Sequence, residues 1–370
     1  MLEHILRLKR AYFNIKSKFL YLFIMDKKYT IKDIAKLAGV SKGTVDRVLH
    51  KRGKVSPATL DKINEVLNVI NYEPNLIARN LKNNKIYRIC VVLPDPEIDP
   101  YWLPCLNGIN ESIKEFKAYN VVITNHFFNP ESTKSFIKAN EVIITQSPDA
   151  VLLAPLFHKE TLEVIKQYNE QNIIVSSFNN QVESNYIKSF VGQDLHKSGR
   201  VAASLMNLIV PQGQIAIIHI DESLKNAVHM QEKEKGFRNY FEEKSDTDFS
   251  ISTLKLKFSN IETQFNTFLD KNPDLKGVFI TTSKSYQIAS LISKAKDKQI
   301  KLIGYDLIYK NVDYLNQGFI HFLIHQNQKQ QVCLGISTLV EHFLYSKAIP
   351  EKILLPIDII NVENASFYVS

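Results

Sequence analysis

Between residues 30 and 54 the sequence concentrates side chains suited to holding a polyanion: Thr30, Ser41, Lys42, Thr44, Arg47, His50, Lys51, Arg52 and Lys54. An ammonium donates to guanine O6 and N7, which makes Lys42 the expected base-reading group, while Arg47 can read guanine or clamp a phosphate. Thr30, Ser41, Thr44 and the basic loop Lys51-Arg52-Gly53-Lys54 suit phosphate oxygens, contacts that set register on a duplex without carrying sequence information. Gly43 and Asp46 make this reading surface unusual. Glycine contributes no contact and lowers helix propensity, and an acid repels phosphate unless it accepts from a cytosine amino group or pairs with Arg47. The expected target is therefore an uncommon DNA sequence.

These groups need a scaffold that presents them together, and the local pattern predicts three short helices. Thr30 caps the first, with Asp33 complementing the cap, and Ile31, Ile34, Ala35 and Ala38 share one face. Gly39 suits a left-handed exit, and Ser41 caps a second helix that runs to about Leu49. There Val45, Val48 and Leu49 face inward, leaving Lys42, Gly43, Thr44, Asp46, Arg47 and His50 outside. Ser56-Pro57 opens a third helix along Leu60, Ile63, Leu67 and Ile70, which Asn71 and Pro74 end. Charge follows the same division. Residues 26–85 carry 13 Lys/Arg against 6 Asp/Glu and residues 1–25 carry 5 against 1, so the rest of this +8 chain is net acidic. Such segregation fits a small nucleic-acid module joined to a larger domain with no electrostatic reason to touch a polyanion.

From Ile86 onward, short apolar runs at residues 89–93, 121–123, 150–153, 173–175, 214–218, 277–280 and 301–304 alternate with amphipathic stretches. Buried parallel strands with helical crossovers give this rhythm, and its recurrence on both sides of about residue 190 predicts two similar lobes. The expected fold class is a small all-α helix-turn-helix domain joined to a two-lobed α/β domain with parallel sheets. Cys90, Cys105 and Cys333 have neither metal-ligand spacing nor the even count of a disulfide framework, which suits a reducing cytoplasm. The apolar run at 19–24 is too short for a signal peptide, and no stretch approaches the roughly 18 apolar residues of a membrane span. No dinucleotide, P-loop or nucleophile-elbow motif accompanies the strands, and His321 and His325 lie in a strand-like run where their spacing builds no shared face. Catalysis, a metal and a cofactor are not expected.

The run from Thr30 to Ser41, Thr-Ile-Lys-Asp-Ile-Ala-Lys-Leu-Ala-Gly-Val-Ser, then Thr44-Val45, Arg47-Val48-Leu49, Val55-Ser56 and Asn71-Tyr72-Glu73-Pro74-Asn75, resembles the DNA-binding headpiece of the LacI/GalR family of bacterial transcriptional repressors. The resemblance implies that Asn75 through Leu81 form a hinge helix that orders on operator DNA and pairs with its counterpart in a second subunit. Leu81 would be the minor-groove wedge, and Ala78 the small residue at the helix pair. About seven residues are too few for a stable lone helix, which suits folding on a surface. The alternating domain resembles the periplasmic-binding-protein fold that serves this family as effector domain. The implied organisation is an extension at 1–25, disordered or an artefact of a start placed upstream of Met25, a headpiece at 26–73, a hinge helix and linker at 74–85, and the two-lobed domain at 86–370.

Ligands of open α/β sheets bind at the carboxyl ends of strands, and in a two-lobed receptor those ends face one another across a cleft. Asp99, Tyr101 and Trp102 follow the first strand, where sugar-binding relatives place stacking aromatics; Trp102, the only tryptophan, equally suits a core plug. Asn179 and Asn180 follow the fourth, with amides that both donate to and accept from hydroxyls. Lys233 stands where relatives carry a ligand-binding arginine, and its lack of a bidentate fork points away from the usual sugar. Thr282, Asp306 and Gln326 end second-lobe strands, and Asp306 suits either a sugar hydroxyl or the cap of the next helix. This mixture favours a neutral polyhydroxylated effector, a monosaccharide or polyol. Expected partners are operator DNA, that effector and a second copy of the chain in a homodimer, without a membrane. The weighed alternative is a sugar-binding receptor module with no transcriptional role.

Overall fold

The structure is a computed structural model that describes residues 29–49, 53–70, 72, 85–221, 228–244, 248–295 and 299–368. The chain divides into two compact units, residues 1–76 and 77–370. In the first, α1 (Ile31–Ala38), α2 (Lys42–Leu49) and α3 (Pro57–Val69) surround Ile34, Val45 and Ile63, each with no exposed surface. Local chemistry sets both ends of α1 and the start of α3. Thr30 and Asp33 form a reciprocal capping box, with Thr30 N–H donating to Asp33 Oδ2 at 2.9 Å and Asp33 N–H to Thr30 Oγ1 at 3.3 Å. Gly39, at φ 66°, ends α1 in the left-handed region that a Cβ disfavours, and Val40 N–H returns to Ala35 O. Ser56 caps α3 ahead of Pro57.

The second unit holds two six-stranded sheets with matching strand orders. One contains β1 (Tyr87–Pro94), β2 (Val121–Phe128), β3 (Ala150–Leu153), β4 (Ile174–Phe178), β5 (Ile187–Gly192) and β11 (Lys352–Leu354), in the order β11-β5-β4-β3-β1-β2. The other contains β6 (Gly213–Ile220), β7 (Phe249–Leu256), β8 (Leu275–Ile280), β9 (Lys301–Tyr305), β10 (Phe322–His325) and β12 (Asp358–Ile360), in the order β12-β10-β9-β8-β6-β7. All recorded pairings are parallel except β10 with β12. Helices α4 (Leu103–Phe116), α5 (Thr133–Gln146), α6 (His158–Glu170), α7 (Leu195–Ile209), α8 (Val228–Glu242), α9 (Ile261–Lys271), α10 (Ser285–Lys294), α11 (Tyr309–Asn316) and α12 (Gln328–Tyr345) cover the sheets. Each sheet is buried on both faces, by two apolar clusters apiece.

The lobes are not simply consecutive. The chain passes from β5 to α7 through Gln193 and Asp194, but it returns to the first lobe after Gln326, because α12 packs on α4 and β11 pairs with β5. Residues 355–357 then lead back to β12. Three crossovers therefore connect the lobes, an arrangement that a split near residue 190 does not contain. Strands β5 and β7 also go beyond the apolar runs read from the sequence. β7 is an edge strand with only Leu256 fully buried, so it lacks the continuous apolar run of a central strand.

Candidate functional site

The candidate residues Lys42, Gly43, Thr44, Asp46 and Arg47 lie on α2. Ser41 Oγ accepts from Thr44 N–H at 3.1 Å and lies 2.9 Å from Thr44 Oγ1, so both hydroxyls stiffen the start of this helix. Lys42, Gly43, Arg47 and Lys54 are exposed, while Thr44 and Asp46 are half-buried. A Cβ at Gly43 would meet only Ser41 Oγ, at 3.8 Å, so packing does not demand glycine there. His50, Lys51, Arg52, Asn75, Ala78 and Leu81 lie outside the described residues.

The second set of candidates converges between the two lobes. Asp99 begins the short 3-10 turn Pro100–Trp102, where its Oδ1 accepts from Tyr101 N–H at 3.1 Å. Tyr101 thereby turns inward. Its hydroxyl accepts from Asn179 Nδ2 at 2.5 Å, and Asn179 itself sits at φ 71° directly after β4. From the other lobe's crossover, Gln326 Nε2 reaches the same hydroxyl at 3.4 Å and lies 3.1 and 3.0 Å from the two oxygens of Asp306. Gln328 Nε2 donates to Asp306 Oδ1 at 2.8 Å. Asp306 is 1% exposed, with its backbone held by Asn311, whose Nδ2 donates to Asp306 O at 3.0 Å. Its carboxylate faces this amide cluster, and the cap position of α11 falls to Ile308.

Lys233 completes the cluster from α8. Its side chain is buried, its Nζ donates to Thr281 O at 3.1 Å, and the ammonium stands 3.6 Å above the Tyr305 ring. This depth depends on two glycines. A Cβ on Gly199 of α7 would stand 2.0 Å from Lys233 O, and one on Gly236 of α8 would stand 1.9 Å from His196 O. Only hydrogen at both positions lets the helices approach closely enough to seat Lys233 in the cleft. Burial pushes the Asp306 carboxyl up and the Lys233 ammonium down, each opposed by the other's charge. Behind Lys233, His219 bridges Thr281 Oγ1 at 2.8 Å and Glu234 Oε2 at 2.6 Å, fixing the strand end that receives the lysine.

Three candidates take other positions. Trp102 stacks edge-on against Tyr101 and Phe178 within the apolar core, the plug rather than the platform. Thr282 accepts from Lys284 N–H in a turn, and its neighbour Thr281 supplies the buried contact to Lys233. Asn180 lines a cavity of about 630 Å³ together with His229 and Glu232 of α8. Two contributors were not singled out in the sequence, Gln328 and Gln193. Gln193 Nε2 donates to His325 O at 2.9 Å and Pro356 O at 2.6 Å, so one buried amide joins all three crossovers. The glutamine-rich run after β10 was a visible signal for the first; nothing local marks the second.

Known proteins place both units. Residues 30–75 match the model for bacterial regulatory proteins of the lacI family, and residues 89–345 match a periplasmic binding protein domain. The chain is similar to a ribose operon repressor of Lactococcus lactis, 26% identical over 344 residues that span 89% of this chain and 95% of that one. A crystal structure of a LacI transcriptional regulator from Bacteroides fragilis superposes with a TM-score of 0.72 at 29% identity, covering 77% of this chain and 100% of that one. An ABC transporter solute binding protein from Burkholderia graminis, solved with D-arabinose, shares the fold at a TM-score of 0.67 and 16% identity, covering 78% of this chain and 99% of that one.

Proposed function

From the premise that this chain belongs to the lacI family of bacterial regulatory proteins, we propose that it is a ligand-responsive, sequence-specific DNA-binding repressor of carbohydrate-utilisation genes. The observation that carries this reading is the joining, in one chain, of a capped helix-turn-helix to a two-lobed receptor unit with a buried acid-amide cluster between its lobes. A receptor module without a transcriptional role would have no use for the headpiece, and the family's work is binding rather than catalysis. Lys42 and Arg47 read bases from α2, and Thr30, Ser41, Thr44 and the 51–54 loop hold phosphates. Asn75, Ala78 and Leu81 serve the hinge, so that a homodimer engages a roughly palindromic operator. Among the described residues no helix is long and apolar enough to cross a membrane.

The effector is a neutral polyhydroxylated molecule, supported by the chemistry of Asp306, Gln326, Tyr101 and Asn179. A carboxylate accepts from hydroxyls, amides exchange donors and acceptors with them, and the buried Lys233 supplies one further donor. The relative named as a ribose operon repressor favours the same class. Selection from random duplex DNA, followed by calorimetric titration of a monosaccharide and polyol panel, tests both halves. An enriched palindrome and a binding sugar are expected. Failure to enrich any sequence would overturn DNA recognition, and binding of purines or amino acids in place of sugars would overturn the effector class.

A further inference from the structure

On the face of the second sheet that α7 and α8 cover, the inward side chains stay apolar until the carboxyl ends of the strands and then turn polar together. Ile215 and Ile217 of β6 are followed by His219, Phe279 of β8 by Thr281, Ile303 of β9 by Tyr305, and Ile251 of β7 by Thr253. Alternation along each strand keeps these residues on one face, and β9, β8, β6 and β7 are neighbours in the sheet, so their polar ends form one row.

Two consecutive residues of α8 close the middle of this row. Lys233 Nζ donates to the Thr281 carbonyl at 3.1 Å, Glu234 Oε2 accepts from His219 Nε2 at 2.6 Å, and His219 Nδ1 lies 2.8 Å from Thr281 Oγ1. Thr281 is therefore held at its carbonyl by one residue and at its hydroxyl, through the imidazole, by the next. Glu234 Oε1 accepts in turn from Arg238 Nε at 2.8 Å and Thr253 Oγ1 at 2.5 Å, and Arg238 Nη1 donates to Ile251 O at 3.2 Å. Burial would raise the Glu234 carboxyl, but hydrogen bonds from His219, Thr253 and Arg238 outweigh it and hold the group below the usual carboxylate range. An ionised carboxylate keeps a proton on His219 Nε2, which leaves Nδ1 to the Thr281 hydroxyl.

Packing alone does not account for this chain of contacts. His219 is 1% exposed and Thr281 fully buried, and an apolar side chain in place of the imidazole would continue the isoleucine run of β6 without the cost of desolvating polar groups. Lys233 supplies a reason. An ammonium on a flexible four-carbon stem has no fixed fork, so its direction is set by what its donors meet. Thr281 O takes one donor and the Tyr305 ring lies 3.6 Å from the cation, which leaves donor capacity for a ligand.

We infer that His219 and Glu234 are positioning residues for effector binding: they fix Thr281, and through its carbonyl they hold the Lys233 ammonium in the direction from which it donates to the ligand. The inference rests on the effector reading above, in which Lys233 is a ligand donor, and adds two residues that themselves touch no ligand.

Competitive acetylation of the full-length protein with acetic anhydride, read by mass spectrometry at Lys233 against the exposed Lys235, reports how firmly the ammonium is held and needs no effector. Thr281→Val, which removes the hydroxyl and keeps the carbonyl, and Glu234→Gln are each expected to raise that ratio roughly threefold to tenfold, the equilibrium effect of one weakened hydrogen bond. His219→Gln, which keeps a donor and an acceptor on one planar group, should raise it less than His219→Ala. Ile215→Val, a core substitution on the same face, should leave it unchanged. An unchanged ratio in Thr281→Val and Glu234→Gln, or an equal rise in Ile215→Val, would overturn the positioning of Lys233. Calorimetry with D-ribose, D-arabinose, D-glucose and D-galactose supplies the second arm, where Thr281→Val and Glu234→Gln should weaken the tightest-binding sugar by a similar factor. Sugar affinity that stays level while labelling rises would overturn the role in effector binding and leave the effector reading standing. If none of the four sugars binds the unaltered protein, the effector reading itself falls, and the labelling ratio alone decides whether the pair holds Lys233.

Discussion

In the proposed effector reading Asp306 is the charged acceptor, and ionisation gives its carboxylate stronger, charge-assisted hydrogen bonds to hydroxyls than the protonated acid can make. Burial raises its pKa above the usual carboxylate range, with the Lys233 ammonium opposing the rise, so the charged acceptor is present above that raised value and lost as pH falls through it. Effector affinity, followed by calorimetry from about pH 7.5 to 5, is expected to stay level at first and then fall, by up to about tenfold per unit. A level profile across the whole range would show that effector binding is not linked to ionisation of Asp306. On the headpiece, Lys42 and Lys54 are both exposed lysines with different expected roles. Lys42→Ala should cost about 1–3 kcal/mol on the selected operator and relax the preference at one base pair. Lys54→Ala should weaken every sequence alike and reduce the salt slope by about one ion. Identical losses for both variants would assign Lys42 to the phosphate backbone.

At the scale of elements, the crossing of α7 and α8 delivers Lys233 to the cleft. Gly236→Ala places a methyl against the His196 carbonyl, backbone that cannot swing aside, so the helices must separate. The expected cost is about 1–3 kcal/mol in denaturant unfolding, with a loss of effector affinity larger than for an exposed α8 substitution such as Lys235→Ala. Unchanged stability would mean that α8 can shift without consequence. The three crossovers are joined through a different device, the Gln193 amide. Gln193→Ala leaves two carbonyls without their donor, at about 1–3 kcal/mol each if they stay dry. It should also loosen the lobes, visible in small-angle scattering as a larger radius without effector and a larger contraction with it. Identical scattering from both proteins would show that the amide has no part in lobe closure.

Across the whole molecule, recognition and sensing are separated by charge as well as by fold. Positive charge gathers in the first 85 residues, whereas the receptor unit is net acidic, so operator binding should weaken steeply with salt while effector binding should not. Regulation then requires that effector and operator each change the other's affinity by one shared factor, typically about 5- to 150-fold. Titrating operator with and without saturating sugar, and sugar with and without operator, measures that factor twice. Unequal factors would point to a linked change of oligomeric state, and a factor of one would show that the sugar is not the effector.

Caps, turns and strand cores were legible in the sequence because they depend on neighbours a few residues away. Thr30 with Asp33, Gly39 and Ser56-Pro57 set the helix boundaries as read, and the apolar runs found most of the central strands. The placement of Asp306, Gln326, Tyr101 and Asn179 at strand ends was also readable, since a parallel sheet puts its loops where ligands bind. Tertiary structure alone decided the rest. Trp102 became core because Tyr101 and Phe178 close around it, and Thr281 rather than Thr282 met Lys233 through its backbone carbonyl, an acceptor that side-chain identity does not mark. The return of α12 and β11 to the first lobe, and the Gln193 amide that joins the crossovers, depend on residues more than 130 positions apart. Local periodicity carries no record of such partners, because the energy that selects them comes from burial and hydrogen bonding that exist only after both lobes have folded.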